Sequence, residues 1–333
     1  MAYTTIDKSS DYFETKLYTG TGSELALTGV GFQPDWVWIK ERNGATNQML
    51  TDSVRGATKT LHSQNADGES TDAQALKSFN SDGFTVGTDG DVNTGSDTYV
   101  AWNWKKTADA GFDIVLYTGN ATNRTISHSC GSAPKMIITK SRAGNNWFVY
   151  HESIGNTKMI KLNTTSAEET KAAIWNSTSP TSSVFSLGTD NDANEDTINF
   201  IAYCFAEKQG YSKFGSYVGN GNADGTFVYT GFRPAWVMIK RTDGANGWFI
   251  SDDQRVGFNS ATTNSATLGN VELNANTSRT EAEGNTNIMD IFSNGFKMHG
   301  TGNDTNGSGA TYIYMAFAKN PFVTSTGVPT TAR

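Results

Sequence analysis

Apolar residues in this chain come in short dense runs separated by polar, glycine-containing stretches, and the runs repeat. PDWVWIK begins at Pro34, PKMIITK at Pro134 and PAWVMIK at Pro234, each a block of β-branched or aromatic residues ending in lysine. Large side chains at consecutive positions predict strands buried on both faces, and a leading proline suits a strand start, where no ladder donor is missed. A polar turn follows in each copy, with Arg42 and Gly44, Arg142 and Gly144, or Arg241 and Gly244. A second apolar run then ends in an acid: QMLTD at Asp52, WFVYHE at Glu152 and WFISD at Asp252. Two such strands around a glycine-bearing turn predict a hairpin.

The agreement extends in both directions. Upstream lie KLYTGTG from Lys16, VLYTGN from Val115 and SYVGNG from Ser216; downstream come FNSDGFTVGT from Phe79, VFSLGT from Val184 and IFSNGFKMHGT from Ile291. Each copy closes on a further strand, YVAWNWK from Tyr99, FIAYCFAEK from Phe200 or YIYMAFAKN from Tyr312. Between them sit excursions of little shared sequence: LHSQNADGESTDAQALKSF, KLNTTSAEETKAAIWN with a short helix expected at Ser166 to Trp175, and an Asn/Thr-rich stretch from Asn259 to Asn287. With about six or seven strands per copy, the pattern predicts an all-β chain of three tandem antiparallel β-sandwich modules of jelly-roll or lectin-like kind. The expected modules span 1–107, 108–210 and 211–333, divided where KKTADAGF and EKQGYSKF interrupt the repeat. A pseudo-threefold cluster and a bent row both satisfy this pattern.

Composition narrows the function classes. The 333 residues are 36% hydrophobic and 11% aromatic, enough to build cores, and only 18% charged, with abundant Gly, Thr, Ser and Asn for tight turns. A formal charge of -7 provides no basic field for phosphates, so a nucleic-acid partner is not expected. Neither an export signal nor an apolar run long enough for membrane insertion is recognisable. Cys130 and Cys204 lack metal or redox spacing and read as reduced core thiols, and His62, His128, His151 and His299 are scattered singly.

No nucleophile elbow, zinc-protease helix, phosphate loop or dinucleotide fingerprint occurs. The adjacent acids Asp252–Asp253 and Glu168–Glu169 would face opposite sides of a strand and could not flank one bond. No catalytic residue, cofactor or metal site is therefore expected. One loop does recur with its polar residues intact: GTDGDVN from Gly87, GTDNDAN from Gly188 and GTGNDTN from Gly300. Asp91, Asp192 and Asp304, with Asn93, Asn194 and Asn306, place oxygen ligands on alternate residues, as a calcium ion or sugar hydroxyls would require. Asp and Asn are equally the residues of self-bonded turns. Trp36, Trp38, Trp102 and Trp236 lie in strand runs and read as core, whereas Trp147 and Trp248 beyond a turn, and Trp175 in an excursion, are the candidates for exposed stacking on a sugar.

The runs TTIDKSSDYFETKLYTGTG, QPDWVWIKERN, TDSVRGATKTL, SFNSDGFTVGT, YVAWNWK and YIYMAFAKNPF together resemble a repeat domain of virion structural proteins from tailed, often marine, bacteriophages, commonly labelled tail fibre or structural protein. The resemblance implies a component on the exterior of the virion, assembled in the host bacterial cytoplasm and partnered by other tail or capsid proteins. The expected role is tail-associated: a fibre or receptor-binding component that touches host surface glycan or protein through polar loops, with a homotrimer among the expected assemblies. A capsid decoration or fibre-adaptor protein is the alternative, a glycan-active enzyme a more distant one. The segment SSDYFETK would be a docking arm.

Overall fold

The computed structural model describes residues 3–255, 271–283 and 289–330. Its elements are antiparallel strands and a few single helical turns. Three units follow one another along the chain, each with a larger inner and a smaller outer sheet. In the first, the inner order is Phe13–Thr19, Thr98–Trp104, Trp36–Glu41, Met49–Asp52. The second runs Phe112–Thr118, Asn199–Ala206, Pro134–Ser141, Trp147–His151 and continues into Lys158–Lys161 and Glu169–Thr170. The third runs Ser212–Val218, Thr311–Asn320, Arg233–Arg241, Trp248–Asp252, then Val271–Asn274 and Ala282–Glu283. In each unit the first and last inner strands pair with one another, so the chain closes a unit before starting the next.

Both faces of the inner sheets are buried, and the two-residue period of a strand assigns them different partners. Trp36 and Trp38, Met136 and Ile138, and Trp236 and Met238 enter one core shared by all three units. Their alternates, Val37 and Ile39, Ile137, and Val237 and Ile239, enter three separate cores between each inner sheet and its own outer sheet. The last strands follow the same rule: Trp102, Tyr203 and Met315 face the common centre, whereas Ala101, Ala202 and Ala316 face outward within their units. The three inner sheets thus pack as a cluster around the common core and not as a row.

At the centre the indole of Trp36 stacks on Tyr203 of the second unit at 4.5 Å, and Trp104 meets Trp236 of the third edge-on at 5.5 Å. Burying one such aromatic contributes roughly 4–6 kcal/mol from the area removed from water. The shared core is therefore a main source of cohesion between units.

Each run-ending lysine has a structural task. Lys40, Lys140 and Lys240 are 0% exposed, and each ammonium donates to a carbonyl of its own hairpin turn: Gly44, Asn145 and Asn246. Burial pushes all three amines down to about 8.

Some expectations are corrected. Ser166 to Trp175 forms no helix; Glu169–Thr170 is a strand and turns follow it. The segment SSDYFETK is not a free arm: Ser9–Asp11 is a helical turn, Phe13–Thr19 an inner strand, and the preceding Tyr3 hydroxyl bonds Gly231 of the third unit. The excursion from Asn259 to Asn287 lies largely outside the described residues.

Candidate functional site

The recurring G-T-x-x-D-x-N loops fold alike and use their polar groups internally. In the first two units the loop holds one helical turn, Gly90–Asn93 or Asn191–Asn194, capped by Asp89 or Asp190. The leading glycine is required by close approach: a Cβ on Gly87 would sit 2.4 Å from the Gln74 carbonyl, and one on Gly188 2.0 Å from that of Ala173. Asn93, Asn194 and Asn306 are 0% exposed. Each donates back to its loop's first glycine, Gly87, Gly188 or Gly300, and accepts from a backbone N–H of the first strand's turn, at Thr21, Asn120 or Asn220. These amides pin two loops together and present nothing to a ligand, which corrects the reading of Asn93, Asn194 and Asn306 as contact residues.

Asp91, Asp192 and Asp304 are half-buried and accept from the hairpin-turn amides of Asn47, Asn145 and Asn246. Asp192 also pairs with Lys171. The aspartates therefore lie at a partly exposed rim, each joined to the turn beside it.

The three tryptophans considered for sugar stacking are core residues. Trp147, Trp175 and Trp248 are 0%, 2% and 1% exposed. Trp175 donates to the Lys158 carbonyl within its unit. Trp147 donates across a unit boundary to His62 at 2.9 Å, and Trp248 to Lys161 at 2.9 Å. Gln48 holds the equivalent place in the first unit and donates to Asn274 of the third at 3.0 Å. These three bonds form a closed ring, first to third, third to second, second to first.

Strand register identifies the residues that meet at each boundary. Asp52, His151 and Asp252 occupy one position, opposite Trp36, Met136 and Trp236. The second unit's hairpin turn is one residue shorter, so the acid at Glu152 falls one place beyond the aligned position. Likewise the counterpart of Arg42 and Arg142 is Thr242, whose N–H bonds Thr311 as theirs bond Thr98 and Asn199. Arg241 aligns with Glu41 and Ser141.

Two of the three seams carry the same buried clamp. Between the first and second units, Arg55 pairs with Asp52, both side chains 0% exposed, and also donates to the Leu50 carbonyl. Tyr203 of the second unit donates to that carboxylate at 2.8 Å. Glu69 then bridges Arg55 to Arg142 of the second unit, at 3.4 and 2.7 Å. Between the third and first units the parts recur: Arg255 on Asp252, the Trp102 indole donating to Asp252 at 3.0 Å, and Glu281 bridging Arg255 to Arg42. Each guanidinium is matched by a carboxylate, the condition for burying charge.

The seam between the second and third units lacks the clamp. His151 replaces the aspartate, Ile154 the arginine, Met315 the aromatic donor and Thr242 the second arginine. Buried His151 is held neutral, its imidazole pushed down to about 4 by burial, and it donates from Nε2 to the Tyr314 carbonyl at 3.2 Å. Glu168 keeps the backbone bond of its counterparts, to Thr242, while its carboxylate pairs with Lys158 instead of arginine.

No helix among the described residues is long and apolar enough to cross a membrane. No curated protein matches this chain. A family model does: residues 8–321 match a domain of unknown function, DUF7483, and the chain belongs to that family.

Proposed function

Starting from membership of a family without an assigned role, we propose that this protein is a structural component of a tailed-phage particle, tail-associated and in contact with the host surface. The observation that carries the reading is an asymmetric outer face on an otherwise repetitive body. On the outer strand Phe227–Tyr229 the outward residues are Phe227, 44% exposed, and Tyr229, 61% exposed, with Phe292 packed edge-on against Phe227. The corresponding positions are Ala26 and Thr28 in the first unit and Thr125 and Ser127 in the second. Exposed aromatics clustered on one unit suit attachment to another virion protein. The polar rim bearing Asp91 and Asp192 then lies on units free to face outward.

A capsid decoration role is the second reading, favoured by the closed arrangement of three units, which gives one chain the trigonal form of a trimer and suits a threefold lattice position. Cryo-electron microscopy of particles separates the two: density at the tail supports the first, density over the capsid overturns it. Phe227→Ser with Tyr229→Ser is expected to abolish incorporation into particles while leaving the melting temperature within a few degrees. Light scattering is expected to give the mass of one chain, 35.9 kDa, before assembly.

A further inference from the structure

Where the clamp is missing, the seam between the second and third units opens into a groove of about 380 Å3. Its shape follows from three shortened side chains. Thr242 stands where the other seams have Arg42 and Arg142, and Ile154 where they have Arg55 and Arg255. Ser216 stands where Leu17 and Leu116 lie. All three line the groove. Two seams show what fills this position when the chain fills it itself: long side chains bridging the units.

The lining defines the class of occupant. Lys158 and Glu168 are its two charged groups, and they pair with each other, so the groove has no formal charge left to recruit an ion. The hydroxyls of Thr242 and Thr311 are bonded to one another at 2.8 Å, beside that ion pair. Ile154 and Val218 add aliphatic carbon surface, Val218 as the cross-strand partner of Thr311 and 55% exposed. Neutral overall, with paired hydroxyls, a carboxylate and an ammonium interspersed with aliphatic surface, such a site suits a molecule that carries many hydroxyls on an apolar carbon frame. Its volume lies within the range of roughly 300–1,000 Å3 found for small-ligand sites.

We infer that this groove is a binding site for a neutral saccharide, with the Lys158–Glu168 pair and the Thr242 and Thr311 hydroxyls holding its hydroxyl groups. The site is a property of the isolated chain and holds wherever the protein sits in a particle.

The test is saturation-transfer NMR on the purified protein with a panel of neutral mono- and disaccharides, each up to about 10 mM. The expected result is transfer to at least one of them. Thr242→Arg with Ser216→Leu rebuilds the filling of the other seams and is expected to abolish transfer, with thermal melting confirming that the variant folds. Glu168→Gln removes a charged acceptor while leaving the groove open, and is expected to weaken binding about tenfold or more. Glu24→Ala, in an exposed surface pair with Lys77 on the first unit, is expected to leave binding unchanged. Absence of transfer from every sugar overturns the inference, as does binding that survives the filled groove. Free arginine binding in place of every sugar also overturns it and makes the groove a seat for a basic side chain.

Discussion

The seam between the first and second units and the seam between the second and third join the same strands in the same order, yet one is locked by buried charge and the other is not. In the first, Arg55 and Asp52 are fully shielded from water, and Glu69 carries the link on to the partly exposed Arg142 of the second unit. In the second, a neutral histidine, an isoleucine, a methionine and a threonine occupy those places. The common aromatic core and the ring of Trp147, Trp248 and Gln48 bonds run through both. The difference teaches that apolar burial assembles the three units, while the buried ion pairs are an addition that one seam does without.

Breaking the locked seam should give the largest effect. Asp52→Leu leaves the Arg55 guanidinium buried without its closest carboxylate and the Tyr203 hydroxyl without its acceptor, and is expected to cost about 3–5 kcal/mol in urea unfolding. His151→Leu, the same exchange at the open seam, removes two neutral hydrogen bonds, to the Tyr314 carbonyl and from the Ser153 N–H, and is expected to cost about 2 kcal/mol. Equal losses would show that the clamp contributes nothing particular.

Acid should act in the opposite order, on the open seam first. With its folded value depressed to about 4, against about 6.5 when unfolded, His151 takes up a proton more readily in the unfolded chain. Its contribution is present above about pH 6.5 and is lost as the pH falls toward 4, by roughly 3 kcal/mol. His151→Gln is expected to flatten that part of the stability profile, measured by urea unfolding at successive pH values.

Transplanting the clamp gives the smallest change in stability. His151→Asp with Ile154→Arg, Thr242→Arg and Met315→Tyr supplies the second seam with the groups of the first, and Glu168 is already in place to bridge them. Because a complete buried ion network offers little net gain over well-packed apolar groups, stability at neutral pH is expected within about 1–2 kcal/mol of the parent. The acid-sensitive window set by His151 should disappear, and loss of more than that range would show that the seams differ in backbone as well as in side chains.

Much of this architecture was legible in the sequence. The short apolar runs announced the all-β fold, and the interruptions at KKTADAGF and EKQGYSKF begin where Thr98–Trp104 and Asn199–Ala206 end and run into the starts of Phe112–Thr118 and Ser212–Val218. Large residues on both strand faces announced double burial but not its two destinations, because a strand facing a neighbouring unit and one facing its own second sheet have the same pattern. The seams were hidden by small offsets: a hairpin one residue shorter moves the second copy's acid past the aligned position, and Arg241 stands one place before Thr242. Trp147 and Trp248 looked like turn-flanking surface residues because the carbonyls that receive their N–H groups belong to other units. The asparagines of the recurrent loops were ambiguous for a simpler reason, since the groups that bind ligands also bind backbone.

The three buried lysines turn the repeat into an experimental instrument. Each of Lys40, Lys140 and Lys240 is shielded from solvent and tied to its own hairpin turn. An amine-reactive label reaches it when that hairpin opens. Mass spectrometry of labelled protein over time would thus yield three separate opening rates from one sample, one clock per unit. The clocks of the second and third units would quicken together when His151→Leu weakens the seam they share, with the labelling pH held constant.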